Sequence, residues 1–285
     1  MGYRCYVLAK KGTIMKYHIP IVDCHCHIYP DKIAARAVAG ISRFYDLDMR
    51  EDGTKATLQR ESAEAGVTHI LIFSVATKPG QVQSINEFIA AEVQSSGGTM
   101  TGLGAMHPES ENPEEDIRHL MSLGLLGVKL HPDVQGFKID DYRCLKIYEL
   151  CEKYHLPLLL HTGDYRYDMS NPNRLRPIME IFTDLTVIAA HLGGWSVWDE
   201  AVLELGGFDN LYFDTSSSLA FMPAEKVRQI IRCYGAEHVL FGTDYPMWIP
   251  ERELELFSVL GLTLEEEEKI LWKNANALFS LGLSD

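Results

Sequence analysis

Eight short apolar runs recur along the chain, and stretches of helical periodicity separate them. In order they are IVDCHCH (21–27), VTHILIFSV (67–75), GLGAMH (102–107), GVKLH (127–131), LPLLLH (156–161), LTVIAAH (185–191), LYFDT (211–215) and VLFGTD (239–244). Runs this short and this apolar suit strands covered on both faces. Strands that alternate with helices pair in parallel through right-handed crossovers. Eight such units without a glycine-rich phosphate loop point to an α/β fold, a (β/α)8 TIM barrel in a single domain, rather than an open doubly wound sheet. The 285 residues suffice for one barrel of this kind, and no shift of composition marks a second domain.

The intervening stretches predict helices over 34–44, 54–65, 81–94, 113–123, 141–154, 174–183, 197–205, 223–233, 251–260 and 264–281. Asn112-Pro113-Glu114-Glu115 has the chemistry of a helix start: a capping Asn, a proline in the first turn and acids at the positive end of the dipole. The acids at 265–268 read as another acidic first turn with no site attached.

Charge narrows the partners. With 26 Lys and Arg against 40 Asp and Glu, the formal charge is −14, and no basic patch stands out for nucleic acid or an anionic membrane. No run of 18 apolar residues is present, so no membrane span is expected. Residues 1–15 lack the apolar core and cleavage site of a signal peptide. The six cysteines show no metal-finger spacing, and several fall inside apolar runs, which fits reduced thiols and a cytoplasmic location.

In a (β/α)8 barrel, chemistry sits at the C-terminal ends of the strands. Six of the eleven histidines fall there: His25, His27, His107, His131, His161 and His191 close five runs, and Lys129, Asp214, Thr215 and Asp244 join them. His25 and His27 alternate with Cys24 and Cys26, so both imidazoles and Asp23 project from one face of a strand, about 7 Å apart per two residues. Neutral imidazole nitrogen serves Zn2+ well, and a catalytic ion takes three or four protein ligands with an open position for water. His25, His27 and His161 offer imidazoles and Asp244 a carboxylate; such an ion makes hydroxide available at neutral pH. His191 is placed to hold a developing oxyanion. A turn Asp before Tyr245-Pro246 is the plainer reading of Asp244 taken alone.

HxH on the first strand, His at the ends of the fifth and sixth, and Asp on the eighth is the pattern that the amidohydrolase superfamily shows. The wording IVDCHCH, GVKLHP, LPLLLHTG, VIAAHLGG, LYFDTSS, VLFGTDYP and NANALFSL resembles its amidohydrolase-related branch, which includes aminocarboxymuconate-semialdehyde decarboxylase-like enzymes; the likeness runs from about residue 18 to 281. The resemblance implies one divalent ion per chain, Zn2+ or another such as Mn2+, on His25, His27, His161 and Asp244. It implies that His191 assists catalysis, that Asp244 also shuttles the proton, and that the chain forms a homodimer. It makes residues 18–285 the catalytic domain; the texture of the sequence itself suggests that 1–17 are a leader segment, with Met15 a candidate start.

Around that centre, Lys129 is either a carboxylated bridge to a second ion or a buried cation needing a partner such as Asp23 or Asp214. His131 either lines the pocket or ends the rim before Pro132. Arg166 either holds a substrate carboxylate or is a solvated loop charge, and Trp195 is a candidate wall. The expected activity is hydrolysis of an amide, lactone or ester of a small molecule. Non-oxidative loss of CO2 from an aromatic or unsaturated carboxylic acid is the alternative, because the same residues serve both.

Overall fold

The computed structural model describes residues 17–284, so the leader expected over 1–17 lies almost wholly outside the described residues. Strands and helices alternate as the apolar runs predict. The strands among the described residues are β1 (Val22–His27), β2 (His69–Phe73), β3 (Met100–Gly102), β4 (Gly104–Ala105), β5 (Val128–Leu130), β6 (Leu158–Leu160), β7 (Val187–Ala189), β8 (Leu211–Asp214) and β9 (Val239–Leu240). Two compact units are present: one comprises the chain up to Ile70 together with Thr215 onward, the other Leu71–Asp214. The first boundary falls inside β2 and the second directly after β8, so neither lies in a linker.

In the Leu71–Asp214 unit, β4 to β8 lie in chain order, each parallel to the next. Leu159 pairs with Lys129 on one side and Ile188 on the other, which places the three exits of β5, β6 and β7 at one level. These strands are buried throughout, as sheets covered on both faces require. The third apolar run does not form one strand. Leu103 donates its N–H to Ile72 O while Gly104 donates to Gly127 O, so the run changes neighbour there and splits into β3 and β4.

In the other unit, the chain after β9 runs beside β1. Cys24 N–H donates to Phe241 O, Asp244 N–H to His25 O and His27 N–H to Tyr245 O, at 2.8–2.9 Å. Gly242 permits the approach, since a Cβ there would lie 2.9 Å from His25 Cβ. The helix Pro250–Ser258 packs on the helix Lys55–Ala65.

Helix ends follow local chemistry. Thr54 and Asp141 cap their helices with side-chain oxygens, and Thr263 with Glu266 forms a reciprocal capping box. Asn112 departs from expectation: it occupies the cap position without a side-chain cap bond, while Ser110 bonds Asp116 in the first turn. The helix expected over 264–281 has a π-helical turn at Lys269–Lys273 between two α segments. All five cysteines among the described residues are free thiols.

One core residue has clear energetic meaning. Glu253 is fully buried, and among the described residues neither carboxylate oxygen finds a hydrogen-bond partner. Burial therefore pushes its carboxyl well above the ordinary range. The native chain then holds a proton that the unfolded chain releases above about pH 4.3, so unfolding free energy falls as pH rises, at up to about 1.4 kcal/mol per pH unit for one proton. Glu253→Gln removes that share. Urea unfolding from pH 5 to 8 should show the variant gaining on the parent as pH increases; parallel curves would contradict the assignment.

Candidate metal centre and active site

β1 and the segment after β9 together build the first group of chemical side chains. The backbone pairing sets Asp244 beside the HCH sequence, and Asp244 takes a left-handed conformation (φ 68°) that turns its side chain back onto the strand. Its Oδ1 lies 3.4 Å from His25 Nε2 and 3.5 Å from His27 Nε2. His25 is buried, and the His27 side chain keeps 14% of its surface exposed. Two ligand atoms each about 2.1 Å from an ion in tetrahedral array stand about 3.4 Å apart. Asp244 Oδ1 already has that spacing from both imidazoles, and two imidazoles with a carboxylate are the donor set of a divalent-metal site.

Asp23 does not join this group, contrary to the strand-face expectation. Its carboxylate turns along the strand edge and accepts from His25 N–H, Thr243 N–H and, at 2.7 Å, Thr243 Oγ1. The Cys26 thiol also contacts it, so Cys26 packs on this polar clamp rather than simply outward against helices. Burial dominates over these bonds and raises the Asp23 carboxyl to about 6.

The loop after β8 supplies outer partners that sequence reasoning missed. Ser216 Oγ lies 3.1 Å from His25 Nδ1. The Ser217 hydroxyl donates to Asp244 Oδ2 at 2.5 Å and accepts from Trp248 Nε1 at 2.9 Å. Only the TSSS run of residues 215–218 signals them, and hydroxyl-rich loops are common.

The Leu71–Asp214 unit holds the second group at the ends of β5, β6 and β7. His161 Nδ1 is 2.9 Å from His191 Nε2, and His161 Nε2 is 3.0 Å from Gly163 O and 3.4 Å from Asp133 Oδ2. His131 stacks on His161 with ring centroids 3.9 Å apart and planes 9° from parallel. His131, Asp133 and His161 are close enough to suggest a shared ion. The stacking argues against it, because in-plane lone pairs of parallel rings cannot converge on one point. His131 instead starts a four-residue helix, Pro132–Gln135, where its Nδ1 accepts from Val134 N–H. Asp133, also missed, is held by Ser170 and raised to about 6 by burial.

His191 is fixed at its backbone as well as its ring. It takes φ 60°, its N–H donates to Asp214 Oδ1, and its carbonyl accepts from Trp198 Nε1, both at 3.0 Å. Trp198 thus positions the histidine rather than only packing its helix. Lys129 is buried with Nζ 5.0 Å over the Phe73 ring. Arg166 is not a simple solvated charge: buried Asp164 engages its Nε and Nη2, and its guanidinium lies near the Tyr167 and Trp195 rings. His107 accepts from Glu109 N–H in a turn.

Known proteins now give this arrangement a class. An uncharacterized TIM-barrel protein from Bordetella bronchiseptica is 23% identical, over 92% of this chain and 99% of that one, with a TM-score of 0.76. A dihydroxybenzoic acid decarboxylase from a Polaromonas species, with bound manganese and the inhibitor 2-nitroresorcinol, is 17% identical over 93% and 98%, with a TM-score of 0.73. A Pseudomonas putida protein provisionally assigned as a 2-pyrone-4,6-dicarboxylic acid hydrolase is 17% identical over 94% and 100%, with a TM-score of 0.68. No curated protein matches the chain. The fold is thus the (β/α)8 barrel of the TIM type expected from the strand count. The amidohydrolase family pattern matches residues 22–281, and the chain belongs to that family as an enzyme of the amidohydrolase superfamily.

Two outcomes follow from the geometry. Purified protein should carry about one divalent ion per chain by elemental analysis, and the double variant His25→Ala, His27→Ala should carry none; full retention would refute the donor set. Gly163 (φ 79°) faces the backbone after β7, where a Cβ would come within 2.6 Å of Gly194 and Trp195. Gly163→Ala should cost about 3 kcal/mol in denaturant unfolding, from left-handed strain and overpacking together.

Proposed function

We propose that this enzyme removes CO2 without oxidation from a small aromatic or unsaturated carboxylic acid, using one divalent ion. The observation that carries the proposal is the His25–His27–Asp244 group: one Asp244 oxygen stands 3.4 and 3.5 Å from the two imidazole nitrogens, and the other is held by Ser217. The Polaromonas decarboxylase with bound manganese supports both the reaction and the choice of Mn2+, while the donor set suits Zn2+ equally.

Four residues are proposed to hold the ion, His25, His27, His161 and Asp244; when bound it polarises a substrate oxygen as a Lewis acid. His161 would do so by giving up one of its present ring contacts, to His191 or to Gly163 O. Asp244 and His191 are the proton donors. The bond from carbon to the carboxylate breaks, its electron pair stays on carbon, and a proton takes the place of CO2. Lys129 is proposed to attract the anionic substrate, Arg166 to orient its carboxylate, and His131 and Trp195 to contact its ring. Asp164 neutralises much of the Arg166 charge, so the role of Arg166 is to orient rather than to supply net charge.

Hydrolysis of a lactone, amide or ester is the second reading, supported by the likeness to the Pseudomonas protein. There Asp244 would protonate the leaving group and His191 would hold the oxyanion.

Panels of conjugated carboxylic acids and of lactones, amides and esters separate the two. The decarboxylase reading expects CO2 release and, in D2O, one deuterium on the product carbon. Asp244→Asn should lower kcat by about 10²–10⁴. Hydrolysis of the second panel without CO2 from the first would replace this reading with the other.

A further inference from the structure

Ser216 and Ser217 are adjacent, buried residues, at 0% and 2% exposure, and their hydroxyls go to different members of the same group. Ser216 Oγ, 3.1 Å from His25 Nδ1, engages one ring nitrogen and leaves Nε2 facing Asp244. Ser217 engages Asp244 Oδ2 and leaves Oδ1 facing both imidazoles. Ser217 is itself oriented. Its oxygen accepts from Trp248 Nε1, so its proton is directed to the carboxylate in a Trp248→Ser217→Asp244 chain. The indole is braced in turn by an edge-to-face contact with Phe221 at 5.7 Å. Left-handed backbone is present at two members of this chain, with φ 45° at Ser217 and 68° at Asp244.

We infer that Ser216 and Ser217 are positioning residues that select which imidazole nitrogen and which carboxylate oxygen are offered to the ion, with Trp248 holding Ser217 in place. The inference rests on the metal-site reading above. Hydrogen bonds of this kind fix the tautomer of a ligating histidine and the rotation of a ligating carboxylate, and their loss weakens metal affinity about 10–100-fold. With Oδ2 occupied by a hydroxyl, Asp244 offers a single oxygen instead of chelating with two. A purely structural role for the serines would appear as lost stability of the metal-free protein.

The test uses metal-stripped full-length protein, titrated with Mn2+ and with Zn2+ against a chromogenic chelator, alongside urea unfolding of the same stripped samples. Ser216→Ala and Ser217→Ala should each weaken binding about 10–100-fold, with little change in the unfolding midpoint. Trp248→Phe keeps the ring stack and removes the N–H, and should give a smaller loss in the same direction. Ser216→Thr retains the hydroxyl and should bind as the parent does. If Ser217→Ala does not fold, Ser216→Ala and Trp248→Phe carry the measurement. Affinities within twofold of the parent, with or without loss of stability, would overturn the inference while leaving the metal site standing. Absence of binding in the parent would instead remove the metal reading, and this inference with it.

Discussion

The backbone ladder between β1 and residues 241–245 is the constraint on which the candidate metal centre depends. Three N–H groups cross it at 2.8–2.9 Å, and one belongs to Asp244 and another to His27. The ligand spacing is therefore set by strand geometry before any side-chain preference acts. Gly242 allows the strands to approach, and the Asp23 carboxylate ties Thr243 to His25 along the same edge. Moving this register by one residue would turn the histidines away from Asp244.

The protein keeps several carboxyl groups out of water. Asp23, Asp133 and Glu253 are all raised by burial, and they differ in compensation. Asp23 accepts two backbone N–H bonds and a hydroxyl, and Asp133 accepts one hydroxyl. A buried polar group lacking bonds costs more than it contributes, so such groups are tolerated where they organise neighbours. Asp133 does so for His161, and Asp23 for the two strands.

Much of the fold was legible in the sequence because strands covered on both faces are written as short apolar runs, and the barrel followed from counting them. The histidines and Asp244 stood out as polar residues closing such runs. The split of the third run at Leu103 was not visible, since it reflects a change of hydrogen-bonding neighbour and not of composition. The same holds for the division into two units, which cuts β2 where the sequence stays uniformly apolar. Ser216, Ser217, Asp133 and Asp164 were missed because loop hydroxyls and turn acids are ordinary surface residues; burial and partners give them meaning. Arg166 showed the converse, a conspicuous charge whose adjoining carboxylate went unnoticed.

The order of the chain has a consequence for biosynthesis. The Leu71–Asp214 unit is continuous, whereas the other unit is assembled from both ends of the sequence. During translation, at roughly 5–20 residues per second, His25 and His27 leave the ribosome roughly 10–40 s before Asp244. For that interval the nascent chain displays an HxH pair with no carboxylate to complete it, while every residue of the continuous unit emerges. In the proposed metal site the Asp244 donor is thereby supplied only at the last stage of synthesis, when the segment carrying it can lie down beside β1.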